Sequence, residues 1–218
     1  MKKYLKCIKK LPLAKSILGC LIFLIGSSYA LADYDKKYRG IVSNVSFKES
    51  GKACSITIKN NPAIPTDKKQ ICDFANKAKE FNKEVYLDIH IHTHWINWIS
   101  GPDEHHIVGV GFLNTQAKWP QKTPKENLPF KYLLVGKVEN VYYQEHDQCY
   151  IAVSGADVRN NKIFHNTKDL KVCRLAEDAF YSGMRVQMIA TVDNYDSDYT
   201  NNINDLRVTQ CCTREQRN

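Results

Sequence analysis

The chain has 218 residues, 43% of them apolar and 11% aromatic, which is enough for a packed core and excludes wholesale disorder. Its formal charge of +8 is unevenly placed: the first 32 residues carry six lysines and no acid, and without them 25 bases face 23 acids, a charge of +2. So nearly neutral a remainder lacks the retained basic surface of a nucleic-acid binder or a polybasic membrane-surface protein, and no nucleic-acid partner is expected.

Residues 1–32 read as a signal peptide. Lysines run to Lys15, the uncharged stretch SILGCLIFLIGSS follows, and Ala30-Leu31-Ala32 before Asp33 supplies the small-x-small cleavage pattern. The apolar run is too short to span a bilayer comfortably. No second candidate span follows, so no stable membrane insertion is expected after cleavage. The dense lysines have a bacterial style, and the expected destination is the periplasm or the medium. Leu18-Gly19-Cys20 invites a lipoprotein reading, but Leu21 to Ile25 lie beyond the cysteine, where the apolar core should already have ended. Asn44-Val45-Ser46 matches the glycosylation sequon, which matters only on a eukaryotic secretory route.

The rest of the chain reads as a duplication. Residues 38–60 resemble 132–155, with Gly40, Val42 and Val45 aligned on Gly136, Val138 and Val141. A second strand begins at Cys54 or Cys149. Cys72 to Ala78 then aligns without a gap on Cys173 to Ala179 as a short helix. Ten residues after each of these cysteines stands Asn82 or Gly183, residues that tolerate the left-handed conformation ending a helix. A strand follows from Val85 or Val186, and a terminal strand covers His106–Leu113 or Ile203–Gln210. The segment 114–130, with Pro120, Pro124 and Pro129, reads as a linker. The expected fold class is mainly β with short helices (α+β): two tandem small barrels over 33–113 and 131–212, then a tail over 213–218.

Six cysteines follow the leader, and fifteen pairings are possible. The repeat selects Cys54–Cys72 and Cys149–Cys173, each tying the second strand to the helix, in an oxidising compartment. No Cys-x-x-Cys occurs, so the redox and zinc-ribbon signals are absent. Cys211-Cys212 is open to three readings: a vicinal disulfide, a link between two chains, or a bond to another partner.

The sharpest local chemistry is Asp88-Ile89-His90-Ile91-His92-Thr93-His94. Alternation puts His90, His92 and His94 on one strand face beside Tyr86 and Asp88, and Val85, Leu87, Ile89 and Ile91 on the other. His105 and His106 stand just before the next strand, so five imidazoles could converge. Such a set suits zinc or copper. The competing reading is the polar, solvent-facing side of a half-buried sheet. The second copy has Gln187, Ile189 and Thr191 there, so the histidines are no part of the repeated scaffold. Asp193, Asp196 and Asp198 with Tyr195 and Tyr199 form an acidic aromatic loop suited to calcium, a sugar or plain solvation, without EF-hand spacing. Trp95, Trp98 and Trp119 sit in or beside loops, where aromatics stack on sugars or pack into a core. No Gly-x-Ser-x-Gly, Walker loop or dinucleotide fingerprint is present. With no nucleophile–base pair legible, no enzyme is expected.

The order of strand, Cys-bearing strand, second Cys, Ala-rich helix ending near Gly and extended strand resembles the OB-fold. It is most similar to the small secreted B subunits of subtilase-, pertussis- and typhoid-type bacterial toxins. The run Cys149-Tyr150-Ile151, then Cys173, then Tyr181 to Val186 carries the likeness, with Asn202 to Leu206 before Cys211 as a terminal match. It covers 132–212 and, less closely, 38–113. The tandem copies depart from the single-domain B subunits. The resemblance implies extracellular recognition of a glycan or protein partner. No sugar-contact residue transfers. The expected function is an exported, non-catalytic recognition protein without a cofactor. One alternative is a periplasmic zinc- or copper-binding protein using the histidine strand. The other is a structural component of an envelope or secretion assembly.

Overall fold

The computed structural model describes residues 33–93, 103–113, 115–120, 128–155, 160–192 and 201–209. Residues 1–32, expected to be a signal peptide, lie outside them, as do His94, Trp95, Trp98, the segment from Asp193 to Tyr199 and the Cys211-Cys212 pair. Tyr34–Ile91 with the chain from His105 onward forms one compact unit; Asp33 and the segment His92–Glu104 belong to a second. Within that second unit, Asp33 accepts a hydrogen bond from the Thr93 amide at 3.1 Å, and its other oxygen lies 3.0 Å from His92 Nδ1.

The larger unit is mainly β. In chain order it runs β1 (Tyr34–Phe47), β2 (Cys54–Ile58), β3 (Ile64–Thr66), α1 (Lys69–Glu80), β4 (Glu84–His92), β5 (Glu104–Phe112), β6 (Phe130–Gln144), β7 (Gln148–Gly155), β8 (Phe164–Thr167), α2 (Leu170–Ser182), β9 (Arg185–Val192) and β10 (Asn201–Thr209). Only the last residue of β4 and the first of β5 fall in the smaller unit. Period-two burial explains β4 and β9. Val85, Leu87, Ile89 and Ile91 are all buried, as are Val186, Met188, Ala190 and Val192, while the residues between them face outward.

The helices stop where the sequence says. Asn82 has φ +51° and Gly183 φ +67°, the left-handed residues that end α1 and α2. At the start of α2, the Asp169 side chain accepts a 2.8 Å hydrogen bond from the Lys171 amide. No side chain caps α1 at Lys68.

Strand order is the same in both halves. The first runs β3-β2-β1-β4-β5; the second runs β8-β7-β6-β9-β10. In the second half a parallel contact, Asn202 with Asn166, joins β10 to β8 and closes a five-stranded barrel. In the first half β5 continues the sheet onto β6, with Val110 opposite Tyr143. Each half therefore has a strand that the sequence reading left out. β3 and β8 are three and four residues long, and β3 contains Pro65, so neither shows an alternating run. His105 and His106 also lie inside β5 rather than before it, and α1 and α2 are the short helices expected.

Disulfides join Cys54 to Cys72 and Cys149 to Cys173, with Cα separations of 5.9 and 6.1 Å. These are the bonds the repeat predicts. Closing loops of this length contributes about 3 kcal/mol each in the chain-entropy account. One apolar cluster draws on both halves, from Val42, Ile56, Phe74 and Leu87 to Val141, Ile151, Met188 and Leu206. The described part of the 114–130 segment is docked: Lys118 forms a parallel bridge with Ile163, on the strand edge leading into β8. No helix among the described residues is long and apolar enough to cross a membrane.

Candidate functional site

The outward faces of β1 and β4 carry paired polar side chains. Register sets Asp35 opposite His90, Lys37 opposite Asp88 and Arg39 opposite Tyr86. Lys37 Nζ lies 2.9 Å from Asp88 Oδ1 and 4.5 Å from the centre of the Tyr86 ring. Asp88 Oδ2 accepts a 3.0 Å hydrogen bond from the Tyr142 hydroxyl. His90 Nδ1 stands 2.7 Å from Asp35 Oδ1.

Between β4 and β6 runs β5, whose Gly109 and Gly111 make room for two rings. A Cβ at Gly109 would sit 1.8 Å from the Tyr142 hydroxyl oxygen, and one at Gly111 2.9 Å from that of Tyr86. Tyr86 and Tyr142 therefore lie over the strand and stack, with centroids 5.7 Å apart and planes 17° apart. Tyr142, Tyr150, Ala152 and Phe164 form a second apolar cluster. Trp119 packs onto it, edge-on to Tyr142 and Tyr150 and tilted against Phe164 at 4.6 Å. The indole stays 42% exposed. Burial first, then the negative field of Asp88, push the Tyr86 and Tyr142 phenols above the usual tyrosine range. Both hydroxyls stay protonated, so Tyr142 can keep donating to Asp88.

The result is a partly exposed indole on a rigid aromatic base, and the Tyr142 of that base reaches by its hydroxyl to the Asp88 carboxylate and its Lys37 partner. Aromatic faces stack on the C–H faces of sugar rings, and the polar groups can bind ring hydroxyls. Sequence reasoning groups Tyr86, Asp88 and His90 on one strand face and finds Trp119 apart from them. It missed Asp35, Lys37, Tyr142, Tyr150 and Phe164. The available signal was Gly109-Val110-Gly111 inside a strand, which marks a close approach by another group.

Four of the five candidate metal-ligating histidines fall among the described residues. His90 is half-buried on β4, and His92 is exposed at its end. His94 lies outside the described residues. His105 is half-buried and His106 exposed. His106 lines a cleft of about 330 Å³ with Lys48, Asp67, Lys68 and Glu145, and none of His90, His92 and His105 lines it. Among the described residues, neither His105 nor His106 belongs to a group of three ligand-type side chains close enough to share a metal.

Two further polar clusters are inside the fold. Glu177 on α2 is 6% exposed. It accepts a 3.0 Å hydrogen bond from the Tyr143 hydroxyl and lies 3.6 Å from Lys77 on α1. Lys77 also pairs with Asp178 at 2.5 Å. Burial raises the Glu177 carboxyl above its ordinary range, against the opposing pull of the Lys77 cation and the Tyr143 hydrogen bond. A raised carboxyl binds its proton more tightly in the folded chain. Its stabilisation is therefore full below the ordinary glutamate pKa and is lost as pH rises through the raised value. Glu177→Gln is expected to remove that slope while keeping an acceptor for Tyr143. Urea midpoints taken across the mildly acidic to neutral range should show the variant gaining on the wild type as pH rises. Parallel pH profiles would contradict it.

The other cluster is His165, fully buried. Asn201 donates to the Tyr132 hydroxyl at 2.7 Å, and that hydroxyl lies 2.7 Å from His165 Nε2. Nδ1 stands 3.3 Å from the Ile151 carbonyl. Both ring nitrogens therefore have hydrogen-bond partners within the barrel.

No family model matches the chain, and no solved structure matches it. A curated relative is protein p10 of Acyrthosiphon pisum secondary endosymbiont phage 1, 42% identical over 69 residues. The match covers 29% of this chain and 58% of that protein, so the chain spans less than two thirds of its relative's length.

Proposed function

We propose that this chain is an exported recognition protein that binds a glycan on the outer face of β1, β4 and β5, with Trp119 as its stacking platform. The observation that carries this reading is the half-exposed Trp119 indole held on Tyr142, Tyr150 and Phe164, with Tyr142 in turn hydrogen-bonded to Asp88 of the Lys37–Asp88 pair. The closed barrel in strand order β6-β7-β8-β10-β9, with α2 between β8 and β9, supports an OB-like reading of the second half, and the first half shares its strand order through β3-β2-β1-β4-β5. OB barrels use one sheet face and its loops for oligosaccharides and oligonucleotides, and the near-neutral charge after the leader favours sugars. Export is supported by the leader and by two disulfides, which persist in oxidising compartments.

The test is a glycan array probed with the oxidised wild type and Trp119→Ala. Selective binding to one glycan class is expected, falling at least about tenfold in the variant, because losing a stacked aromatic costs more than its area alone. The melting temperature should change little, since the indole is partly exposed. A blank array, or equal binding by the variant, would overturn the assignment. Zinc or copper at the histidine strand is the second reading. It is favoured by the Asp35 carboxylate on His90 Nδ1, the way carboxylates orient metal-bound imidazoles.

A further inference from the structure

The two halves present unlike outer faces at equivalent positions. Gly40 pairs with Val85 in the first half, and Gly136 with Val186 in the second. Counting from these, Lys37 opposite Asp88 corresponds to Leu133 opposite Ile189, and Arg39 opposite Tyr86 to Val135 opposite Gln187. A salt bridge in one half is thus an aliphatic pair in the other. Leu133 is 49% and Val135 36% exposed, and Ile189 is half-buried. Exposed aliphatics clustered on one sheet face mark an interaction surface.

The rim is basic. Lys131 and Lys137 flank the aliphatics along β6, Arg185 lies beside Lys137 on β9, and Arg207 stands next to Gln187 on β10. The acid on the same rows is Asp205, which pairs with Arg207 at 2.7 Å. On the outer face of β1 and β4, Asp35 and Asp88 balance Lys37 and Arg39, so the positive charge of these two faces is concentrated on this one. Screening over about 8 Å at physiological salt makes the local charge, not the total, what a surface meets.

We propose that this face docks peripherally on an anionic phospholipid surface. Leu133 and Val135 meet the acyl boundary, and Lys131, Lys137, Arg185 and Arg207 meet the headgroup phosphates. Apolar groups ringed by cations are the combination that gives reversible attachment to anionic bilayers. The outward positions of β6, β9 and β10 here carry no Trp or Tyr, the anchors that dominate protein–protein interfaces. Shallow contact by a sheet face inserts no span, so it is compatible with the expectation of no stable membrane insertion.

The experiment is vesicle flotation of the exported protein, with its N terminus read by mass spectrometry. Phosphatidylcholine vesicles with and without phosphatidylglycerol are compared. Flotation is expected only with phosphatidylglycerol and should be reversed by high salt. Leu133→Glu and Lys137→Glu should each weaken it at least about fivefold. Both sites are exposed, and unchanged far-ultraviolet spectra would show that the variants fold. Trp119→Ala should float like the wild type, which separates this proposal from the glycan reading. No flotation, or flotation unaffected by both substitutions, would overturn it. So would a dimer abolished by Leu133→Glu without vesicle binding, which would assign the face to a second copy.

Discussion

Gly136→Ala is expected to destabilise the chain by about 3 kcal/mol or more. A Cβ there would lie 1.7 Å from the Ser154 carbonyl oxygen, 2.5 Å from its carbon and 2.9 Å from the Gly155 Cα. These are backbone atoms of the paired strand, so no rotamer change relieves the clash. Gly136 pairs with Val186 of β9 on one side and Gly155 of β7 on the other. It is where β6 passes from one neighbour to the next around the barrel. Forcing β7 away opens the ladder on which closure depends. Its counterpart Gly40 needs glycine for a different reason: φ is +135°, and the nearest atom to an added Cβ is Ile58 Cγ2 at 3.3 Å. Gly40→Ala therefore introduces strain in the backbone itself. Urea denaturation of the Gly136→Ala chain checks the expectation, and a wild-type midpoint would refute it.

These two glycines show what the sequence could and could not convey. Their alignment located the repeat, because a glycine ahead of an alternating strand recurs whatever its local cause. Their different causes depend on neighbours distant in the chain, Ser154 in one case and a backbone angle in the other. The same division runs through the fold. The cores of β4 and β9 were legible because burial on one face writes itself into every second residue. Asn82 and Gly183 were legible because few residues tolerate positive φ. The disulfides followed from cysteines at repeated positions. Strands β3 and β8 were too short for any period to register. The joining of β5 to β6 is a tertiary event without a local pattern. At the site, Asp88 and His90 were read from their own strand, but Lys37 and Asp35 reach them only through register with β1.

The duplicated scaffold also explains where chemistry diverged. Inward positions keep the same apolar alternation in both halves, since each must cover a helix and hold a disulfide. Outward positions are free of that demand. One half carries the Lys37–Asp88 and Asp35–His90 pairs beside the aromatic base, and the other carries Leu133, Val135 and four cations. Divergence at outward positions leaves each half able to carry a different site, since function is set by the site rather than the scaffold.

Phe112→Ala is expected to cost about 3–5 kcal/mol and to move the unfolding of both halves together. Phe112 ends β5 and is 2% exposed. Its ring stacks on Phe180 of α2 at 3.9 Å, tilts against Phe74 of α1 at 4.7 Å and meets Tyr181 edge-on at 5.5 Å. Its backbone is tied to the second half as well, since Asn140 of β6 accepts from its amide and donates to its carbonyl. Removing the ring leaves a cavity bordered by both helices, so neither half keeps an intact core face. If the halves unfolded independently, the variant would lower one transition and leave another at its wild-type midpoint. A shared core predicts a single transition at lower denaturant with an unchanged slope, coincident by tryptophan fluorescence and far-ultraviolet circular dichroism. The slope decides the matter, because it scales with the surface exposed on unfolding and would fall if only one half were melting.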